Sequence, residues 1–482
     1  MAQNILILGA SGYIGSQLIP QLLDQGHNVV AAARQINYLH ARTQPHPNLT
    51  IMYLDLEDRE ATRRAFIDID TVYFLVHGMA SGEDFIEYEL SLAENVRAAL
   101  QTSNVKHVIY LSAIQPQTGN SQHLEARRKT GEVLRKQAIP VTELRAGVII
   151  GPGSAAYEIM RDFVYNLPIL ITPKHIDAKA NPIALCNLNH YLLALIESPS
   201  PSHSVYEVGG PEHLSYRQQL NTLCELSHRP FRLFSTSLVT PKLASYWLSI
   251  ITSVPKSIGQ ALIAGIEHDF LADNAAIQKR FPQQLLNYRE AVSRAQAAEA
   301  DFVKSEVWGF DDLAVNRWQS GYGYFAKSTQ AEIVTQASLE SLWQTVQGIG
   351  SRQHKYYFAN QLWWLREWLD IFFGGGRPVR REPAGESLQI GDYIDSWKVI
   401  RCESPTFLSL LFGMKGPGLG RLEFSISEEK DNHRRLKIKA WWHPAGFRGL
   451  LYWFAMMPAH LFIFRGMAKA MVKHATEKDK KS

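Results

Sequence analysis

The stretch that decides the fold of this 482-residue chain is Ile5-Leu-Ile-Leu-Gly-Ala-Ser-Gly-Tyr-Ile-Gly15. Its first four residues, Ile5–Leu8, are apolar and predict a short buried strand. Three glycines, Gly9, Gly12 and Gly15, stand at the junction between this strand and a helical pattern. That pattern has apolar residues at helical spacing, namely Leu18, Ile19, Leu22 and Leu23. We therefore expect a strand, a tight turn and a helix, in that order, at the start of a parallel sheet.

A turn of this kind is suited to phosphate. A strand that ends in glycine directly before a helix presents backbone N–H groups and the positive end of the helix dipole to a pyrophosphate. In such turns the first glycine permits the sharp bend, the second permits close phosphate approach, and the third lets helix and strand pack closely. The alternative is a purely structural turn. The pattern favours a dinucleotide site that includes Gly9, Ser11, Gly12, Tyr13, Ile14 and Gly15.

The first half of the chain alternates short β-rich runs with amphipathic helical segments. This alternation predicts α/β architecture, with a parallel sheet and helices on both of its faces. The later β-rich runs are Val29–Ala32, Thr50–Tyr53, Thr71–Val76, His107–Leu111 and Val141–Leu144. We assign residues 1–228 to this domain and residues 229–325 to a mainly helical extension and linker. We expect residues 326–482 to form a tryptophan-rich α+β domain.

The spacing of Gly9, Gly12 and Gly15 resembles that of the extended and atypical short-chain dehydrogenases/reductases. Two further segments agree with this family: Leu144-Arg-Ala-Gly-Val-Ile-Ile-Gly-Pro-Gly153 and Val205-Tyr-Glu-Val-Gly-Gly-Pro-Glu-His-Leu-Ser215. The resemblance implies a Rossmann-type domain, with short substrate-domain insertions, that binds NAD or NADP.

The end of the second strand bears on the choice of cofactor. It reads Val29-Val-Ala-Ala-Ala-Arg34 and lacks the acidic residue that accepts hydrogen bonds from a ribose 2′-hydroxyl. Arg34 instead offers a forked cation suited to a 2′-phosphate, although it is also interpretable as a surface arginine. We therefore expect NADP to be preferred, with NAD as the alternative. The resemblance also implies cofactor contacts from Asp55, Leu56, Leu75, Val76, His77 and Ser112.

The catalytic pattern of the family is incomplete in this chain. Active members use a tyrosine and, four residues later, a lysine that lowers the tyrosine's pKa. Ser112 matches the family's serine, but the expected helix, Ser121-Gln-His-Leu-Glu-Ala-Arg-Arg-Lys-Thr-Gly-Glu132, offers either Leu124 with Arg128 or His123 with Arg127. Arginine does not release a proton near neutral pH, whereas histidine does, although a histidine near a helix start is also typical of the surface. The candidate catalytic residues are thus Ser112, His123, Arg127 and Arg128.

In lacking this tyrosine and in carrying Arg34, the chain resembles the atypical branch of the family. That branch includes NmrA-like NADP-sensing regulators, isoflavone-reductase-like enzymes and a nucleotide-holding accessory subunit of respiratory complex I. The closest resemblance is to bacterial NAD(P)-binding proteins with a C-terminal domain of unknown function. It extends over Gly391-Asp-Tyr-Ile-Asp-Ser-Trp-Lys-Val399 and Pro444-Ala-Gly-Phe-Arg-Gly-Leu-Leu-Tyr-Trp453. This resemblance carries no established reaction with it.

The C-terminal pattern resembles a helix-grip domain, in which a curved antiparallel sheet and a long helix enclose a cavity for an apolar ligand. The expected elements are strands at Glu332–Thr335, Tyr393–Ile400, Leu408–Met414, Leu422–Ile426 and Leu436–Trp442, an aromatic helix at Asn360–Phe373 and a long helix through Val472. Strand alternation puts Tyr393, Asp395, Trp397 and Val399 on one face. The expected ligand pocket comprises Asp395, Trp397, Trp441, His443, Tyr452 and His460. The alternative is that these side chains simply form the core.

Overall composition excludes several functional classes. Lysine and arginine number 50 against 46 aspartates and glutamates, so no strong field favours nucleic acid. The three cysteines are scattered and predict neither a disulfide framework nor a metal site. No signal-peptide pattern opens the chain, so we expect a cytoplasmic protein.

The excess of positive charge lies entirely in the C-terminal tail. Residues 465–482 contain six basic and two acidic residues, and the preceding segment Gly449–Phe464 is nearly apolar. As a helix that segment would span about 24 Å, short of a bilayer core of about 30 Å, and it contains Pro458 and His460. Such a tail is typical of a solvated helix end. The alternative is peripheral contact with an anionic membrane surface.

Two functional hypotheses follow from these patterns. The first is an NADP(H)-binding oxidoreductase-like protein that acts on or carries a hydrophobic small molecule. The second is a non-catalytic sensor or structural nucleotide binder with a lipid, quinone or protein partner. A third alternative is a sugar-nucleotide epimerase-like enzyme, since Gly151-Pro-Gly153 also occurs there, but the missing tyrosine argues against it.

Overall fold

The computed structural model describes residues 2–78, 85–116, 121–230, 232–236, 239, 246–248, 250–265, 268–303, 307–308, 312–351, 354–372, 387–413 and 416–481. The chain forms two compact units, residues 1–310 and residues 311–482. The boundary between them falls inside the segment 229–325, which the sequence assigns to a helical extension and linker.

The first unit is built on a seven-stranded sheet in which all neighbouring strands run parallel. Its strands are β1 (Asn4–Leu8), β2 (Asn28–Ala33), β3 (Leu49–Tyr53), β4 (Thr71–Phe74), β5 (His107–Ala113), β6 (Val141–Ala146) and β7 (Ser204–Val208). Their order across the sheet is β7-β6-β5-β4-β1-β2-β3. The order reverses between β1 and β4, and ligands of open parallel sheets bind at such a switch point. The expected parallel sheet is therefore confirmed.

Helices cover both faces of this sheet, because alternate residues of its strands point to opposite sides. Ile5 and Ile7 of β1 lie in one core, and Leu6 and Leu8 lie in another. The helices of the unit are α1 (Tyr13–Asp24), α2 (Ile36–Arg42), α3 (Arg59–Ala65), α4 (Phe85–Leu100), α5 (Gln122–Leu134), α6 (Ala155–Asn166), α7 (Leu185–Glu197), α8 (Tyr216–Ser227), α9 (Lys256–Gly265), α10 (Ala275–Arg280) and α11 (Tyr288–Phe302). Helices α1 and α7 pack on the first core, while α3, α4 and α5 pack on the second.

Short strand pairs and helices form a smaller region after β6. Ile149–Ile150 pairs with Ile183–Ala184, and Ile169–Thr172 pairs with Arg232–Ser235, both in parallel. Lys179–Ala180 pairs with Leu214–Ser215 in antiparallel orientation, and Lys174–Asp177 forms a 3-10 turn. Helices α6, α8 and α11 share a core with these strands.

The second unit is a six-stranded antiparallel sheet with helices. Its strands are β8 (Lys327–Thr335), β9 (Tyr393–Ile394), β10 (Trp397–Glu403), β11 (Phe407–Phe412), β12 (Gly418–Glu428) and β13 (Arg434–Pro444), in the order β8-β13-β12-β11-β10-β9. Its helices are α12 (Asp312–Val315), α13 (Leu339–Gln347), α14 (Asn360–Phe372) and α15 (Gly446–Asp479). One core joins the sheet to α13 and α15. The expected α+β class is confirmed, whereas helix-grip remains a prediction.

Two of the expected elements differ from the structure. The expected continuous strand Tyr393–Ile400 is a hairpin, in which Ile394 pairs with Trp397 across a turn at Asp395 and Ser396. Asp395 has a φ of +52°, in the left-handed region that short polar side chains tolerate best. Helix α15 continues beyond Val472 to Asp479, whose carboxylate accepts hydrogen bonds from the backbone and side chain of Ser338.

Candidate functional site

The glycine-rich turn brings the loops after β1 and β4 into contact. Gly9 has a φ of +86°, which any residue with a side chain adopts only under strain. A Cβ atom at Gly9 would lie 3.1 Å from the carbonyl carbon of Leu75 and 3.2 Å from the nitrogen of Val76. The two loops that flank the switch point of the sheet therefore meet backbone to backbone.

Gly15 lets helix α1 begin directly against this turn. A Cβ atom there would lie 2.6 Å from the oxygen of Gly9 and 2.8 Å from the Cα of Ala10. Gly12 is the N-cap residue of α1, its N–H donates to the oxygen of Gly9 over 2.9 Å, and its backbone is exposed. The turn is thus compact toward the sheet and open toward solvent.

The start of α1 is suited to an anion. The first N–H groups of a helix have no partner within the helix, and they carry the positive end of its dipole. In α1 these groups belong to Tyr13, Ile14 and Gly15, and the first turn contains no acidic residue. A Cβ atom at Gly151 would lie 2.6 Å from the Tyr13 hydroxyl, so the Gly151-Pro-Gly153 loop borders the same turn.

Arg34 directly follows β2. In the sheet β2 lies beside β1, the strand that leads into the glycine-rich turn and α1. The Arg34 guanidinium is exposed and donates from Nη1 to the hydroxyl of Tyr88 over 2.9 Å. Burial raises the pKa of Tyr88, and the positive charge of Arg34 opposes that rise. Tyr88 therefore orients the cation from one side. Sequence reasoning missed Tyr88, since a tyrosine on a helix gives no sign of its partner.

The pair Asp55-Leu56 follows β3. Leu56 is buried, and the Asp55 carboxylate accepts a hydrogen bond from the N–H of Glu57 over 3.1 Å. The local loop thus holds the side chain of Asp55 at the carboxyl edge of the sheet, where the resemblance implies a cofactor contact.

The loop after β4, which contains Leu75, Val76 and His77, is fixed by a buried ion pair. Glu89 and Arg127 are 0% and 7% exposed, with 3.3 Å between Oε1 and Nη1. The Arg127 guanidinium also donates to the oxygen of Val76 over 3.0 Å, and the N–H of Gly78 donates to Glu89 over 2.8 Å. Arg127 is therefore engaged in holding this loop.

Glu89 is the second functional residue that sequence reasoning missed. It shares one face of α4 with Leu92, Ala93 and Val96, at the spacing i, i+3, i+4 and i+7, and all four are buried. A carboxylate at an apolar position of a helix is the signal that could have identified it, because a buried charge requires a partner.

Ser112 and His123 approach the same edge of the sheet. Ser112 is buried at the end of β5, and Ser121 caps the start of α5 by accepting from the N–H of Leu124. Burial, and then the charges of Arg127 and His77, lower the pKa of His123 to about 3. Its Nδ1 is buried, with no hydrogen-bond partner among the described residues. His123 is thus a neutral imidazole at physiological pH.

The remaining arginine of α5 lies apart from this group. Arg128 forms an exposed ion pair with Glu132 one helical turn later. Burial raises the pKa of Tyr110, the tyrosine of β5, to about 12, and its hydroxyl donates to the oxygen of Arg127. Neither residue replaces the tyrosine and lysine of the family's active members.

In the second unit, three of the expected pocket residues lie on the core side of the sheet. The Trp397 ring meets the ring of Phe412 edge to face, and Tyr452 lies 5.0 Å from Trp442 between ring centroids. His460 stacks on Phe464, with 5.4 Å between centroids. These contacts are those of a packed core.

The other three expected pocket residues are elsewhere. Trp441 lies on the opposite face of β13 from Trp442, with the Lys439 ammonium 3.5 Å from its ring centroid. His443 shares that opposite face, where Nδ1 lies 2.8 Å from the oxygen of Gly323. Asp395 is buried in the hairpin turn. The six residues therefore do not converge, because side chains alternate across a strand.

A cleft of about 450 Å³ opens at another place in the second unit. It is lined by Val334, Thr335, Gln336, Ala337, His433, Thr476, Asp479 and Lys480, and so by none of the six expected pocket residues. Among the described residues no cluster suited to a metal ion occurs, and the three cysteines are free thiols.

Helix α15 is the one helix of the described residues that is long and apolar enough to cross a membrane by length and composition. Only 28% of its most apolar 18-residue window is buried. Core helices of soluble proteins pass the same test, so this property alone is weak evidence for a membrane span.

Each unit contains a match to a known family. A family described as NAD(P)H-binding matches residues 9–163, and a family described as a protein of unknown function (DUF2867) matches residues 322–467. The first match contains the glycine-rich turn, Arg34, the loop after β4 and the start of α5.

Curated relatives match part of the chain. Subunit 9 of the NADH dehydrogenase (ubiquinone) 1 alpha subcomplex from Dictyostelium discoideum is 24% identical over 233 residues, which are 45% of this chain and 62% of that protein. A 3β-hydroxysteroid dehydrogenase/Δ5→4-isomerase from Mycobacterium tuberculosis is 27% identical over 120 residues, 23% of this chain and 31% of that protein. The matched region thus spans less than two thirds of either relative.

Among solved structures, a nucleoside-diphosphate-sugar epimerase from Staphylococcus aureus is similar at 19% identity with a TM-score of 0.49. It covers 60% of this chain and 99% of its own. The family matches and the parallel sheet agree with each other. The chain therefore combines an NAD(P)H-binding domain of the Rossmann type with a C-terminal DUF2867 domain.

Proposed function

We propose that this protein binds NADP(H) in preference to NAD(H) and acts as an oxidoreductase on a hydrophobic small molecule. The observation that carries the cofactor preference is Arg34, an exposed guanidinium at the end of β2 that Tyr88 orients. A guanidinium forms two parallel hydrogen bonds to a phosphate, whereas a ribose hydroxyl is usually bound by a carboxylate at this place.

Other residues at the carboxyl edge of the parallel sheet would contact the other parts of the dinucleotide. The N–H groups of Tyr13, Ile14 and Gly15 would hold the pyrophosphate, and Asp55 with Leu56 would lie beside the adenine. The loop Leu75–His77 and Ser112 would border the nicotinamide. A bound nicotinamide supplies hydride transfer, while the protein positions it and excludes water.

Ser112 and His123 are the groups that we assign to the substrate. Both lie toward the carboxyl edge of β5 and the start of α5, and the His123 imidazole is neutral at physiological pH because its pKa is lowered to about 3. A neutral imidazole donates from one nitrogen and accepts at the other, so it can orient a substrate oxygen. We assign Arg127 to positioning, through its contacts with Glu89 and Val76.

The test is a titration of the full chain that follows NADPH fluorescence. Loss of a charged hydrogen-bond donor typically costs about 1.5–3 kcal/mol, so Arg34→Ala should weaken NADPH binding roughly 10- to 150-fold and leave NADH binding nearly unchanged. Arg294→Ala, at an exposed arginine of α11, is the matched control. If NADPH and NADH bind equally well to both the wild type and Arg34→Ala, the NADP preference is wrong.

A second candidate function is a non-catalytic sensor or structural nucleotide binder with a lipid, quinone or protein partner. It is favoured by α5, where Leu124 is buried and Arg127 is engaged in the ion pair with Glu89. Mass spectrometry of ligands released from gently purified protein would identify both the nucleotide and a hydrophobic companion. That compound is then tested as a substrate. An enzyme should turn it over as the wild type and lose this turnover in Ser112→Ala and His123→Asn. A sensor should show no turnover even as the wild type, and both variants should retain NADPH binding.

The proposal also includes the location of the protein. We assign it to the cytoplasm, in peripheral contact with the inner face of the membrane through helix α15 and the cationic tail. The support for this assignment is the composition of α15, which is apolar in its first half and cationic in its second.

A further inference from the structure

One face of helix α15 is apolar and exposed along its first half. After Phe447, each residue of this face follows an earlier one by three or four positions, and the residues are Phe447, Leu451, Phe454, Pro458, Leu461 and Phe462. The opposite face of the same helix is buried in the core of the second unit through Trp453, Phe464, Met467 and Met471. The exposed face is therefore held outward by the packing of the buried one.

Helix α14 adds a second set of exposed apolar side chains, Leu362, Trp364, Leu365 and Trp368. The start of α14 is fixed to α15 through Phe358, whose ring lies 5.2 Å from that of Phe462. Gly466 lets this ring rest on the helix backbone, since a Cβ there would clash with it. We call the exposed apolar residues of α14 and α15 together the two-helix apolar face.

Basic residues continue the exposed face of α15 beyond its apolar part. Arg465, Lys469 and Lys473 follow Phe462 at the same helical spacing, and all three are exposed. From Gly446 to Ala475 the sequence contains no aspartate or glutamate. One side of a single helix therefore changes from apolar to cationic, without an acidic residue before Glu477.

We propose that the two-helix apolar face and the cationic stripe Arg465, Lys469 and Lys473 form a docking surface for an anionic lipid bilayer. This inference deepens the peripheral membrane contact proposed above and rests on it. Exposed tryptophans and an apolar stripe suit the boundary between headgroups and acyl chains, and lysine and arginine suit anionic headgroups. The cationic stripe favours a lipid surface over a neutral protein partner.

The geometry favours helix α15 lying in the plane of the surface over crossing the bilayer. Its nearly apolar part, Gly449–Phe464, measures about 24 Å, which is shorter than a bilayer core of about 30 Å. In addition, one side of this part packs on protein through Leu450, Trp453 and Phe464, so lipid cannot surround it. An in-plane helix needs only one apolar side, and that side is the exposed one.

The experiment is flotation of the full chain with vesicles. One set contains phosphatidylcholine alone, and in the other phosphatidylglycerol replaces part of it. The wild type should float with the anionic vesicles. The variant Phe447→Ser/Leu451→Ser should lower the partition coefficient roughly tenfold for each side chain, because each loses the burial of a large apolar group. The variant Arg465→Gln/Lys469→Gln/Lys473→Gln should lower it about fivefold for each charge, with anionic vesicles only.

The matched control is Ile169→Ser/Ile171→Ser in the first unit. These isoleucines are 51% and 58% exposed, close to the 55% and 60% of Phe447 and Leu451, and their replacement should leave flotation unchanged. NADPH titration of every variant reports the first unit separately, so a failure of lipid binding is distinct from a failure of cofactor binding. Trp364→Ser on α14 provides a second apolar variant if the serine pair in α15 fails to fold.

Two outcomes would overturn the proposal. The wild type fails to float with either kind of vesicle, or the folded apolar variants float as well as the wild type. If the wild type does not float, sedimentation tests self-association: a dimeric wild type and a monomeric Phe447→Ser/Leu451→Ser would assign this face to contact between two copies of the chain.

Discussion

The buried pair of Glu89 and Arg127 allows a direct test of what Arg127 does. In Arg127→Met the apolar stem is kept but the guanidinium is lost, which leaves Glu89 buried without its ion-pair partner. Breaking a buried pair in this way costs about 3–5 kcal/mol. For a unit of this size a loss of 1 kcal/mol lowers the melting temperature by about 2 °C, so the first unit should melt roughly 6–10 °C lower. Calorimetry on the full chain would measure this shift.

Two comparisons isolate the buried ion pair as the cause of this loss. Arg128→Met, one residue later in the same helix, breaks only an exposed pair with Glu132 and should cost less than about 1 kcal/mol. In Arg127→Met/Glu89→Leu no charge is left unpaired, and part of the lost stability should return. A melting temperature of Arg127→Met within 2 °C of the wild type, roughly 1 kcal/mol or less, would refute the reasoning.

Three further predictions concern other sites. In Gly15→Ala the new Cβ would meet the oxygen of Gly9 at 2.6 Å, so overpacking should cost about 1–3 kcal/mol and weaken NADPH binding, as melting and titration would show. Arg161→Met should lower the melting temperature of the first unit, because it removes the buried guanidinium that pairs with both Glu158 and Glu299. Burial lowers the pKa of His443 to about 3, so the unfolded state binds more protons between pH 3 and 6.5. The stability of the second unit should therefore fall as the pH falls through this window, and His443→Gln should reduce that dependence in urea unfolding at a series of pH values.

Much of the first unit was predictable from local patterns. The strand before Gly9 is apolar throughout, and the residues after it repeat at helical spacing, so the strand, the turn and the helix follow from neighbours in sequence. The same holds for the alternation that predicts a parallel sheet with helices on both faces. The family match indicates NAD(P)H binding but not the individual contacts. The contacts of Arg34 and Asp55 with the cofactor therefore remain predictions, since these side chains would act only on a bound ligand.

The site residues that escaped prediction act through distant partners. Nothing near Glu89 in sequence indicates that Arg127, 38 positions later, will neutralise it. Trp441 and His443 looked like neighbours of Trp397 in a pocket, because composition does not show which face of a strand is turned inward. The hairpin at Asp395 reversed the chain inside a run that otherwise alternates like one strand.

The sequence by itself therefore determined the class of the first unit, the place of its dinucleotide turn, and the loss of the tyrosine and lysine pair. Each of these depends on residues within a few positions of one another, where backbone geometry and periodicity act directly. The tertiary structure alone decided that Arg127 is held by a buried carboxylate, that the expected aromatic pocket is divided between two faces of a sheet, and that α15 turns its apolar stripe outward. These depend on which surfaces pack together, and packing joins residues that are far apart in the chain.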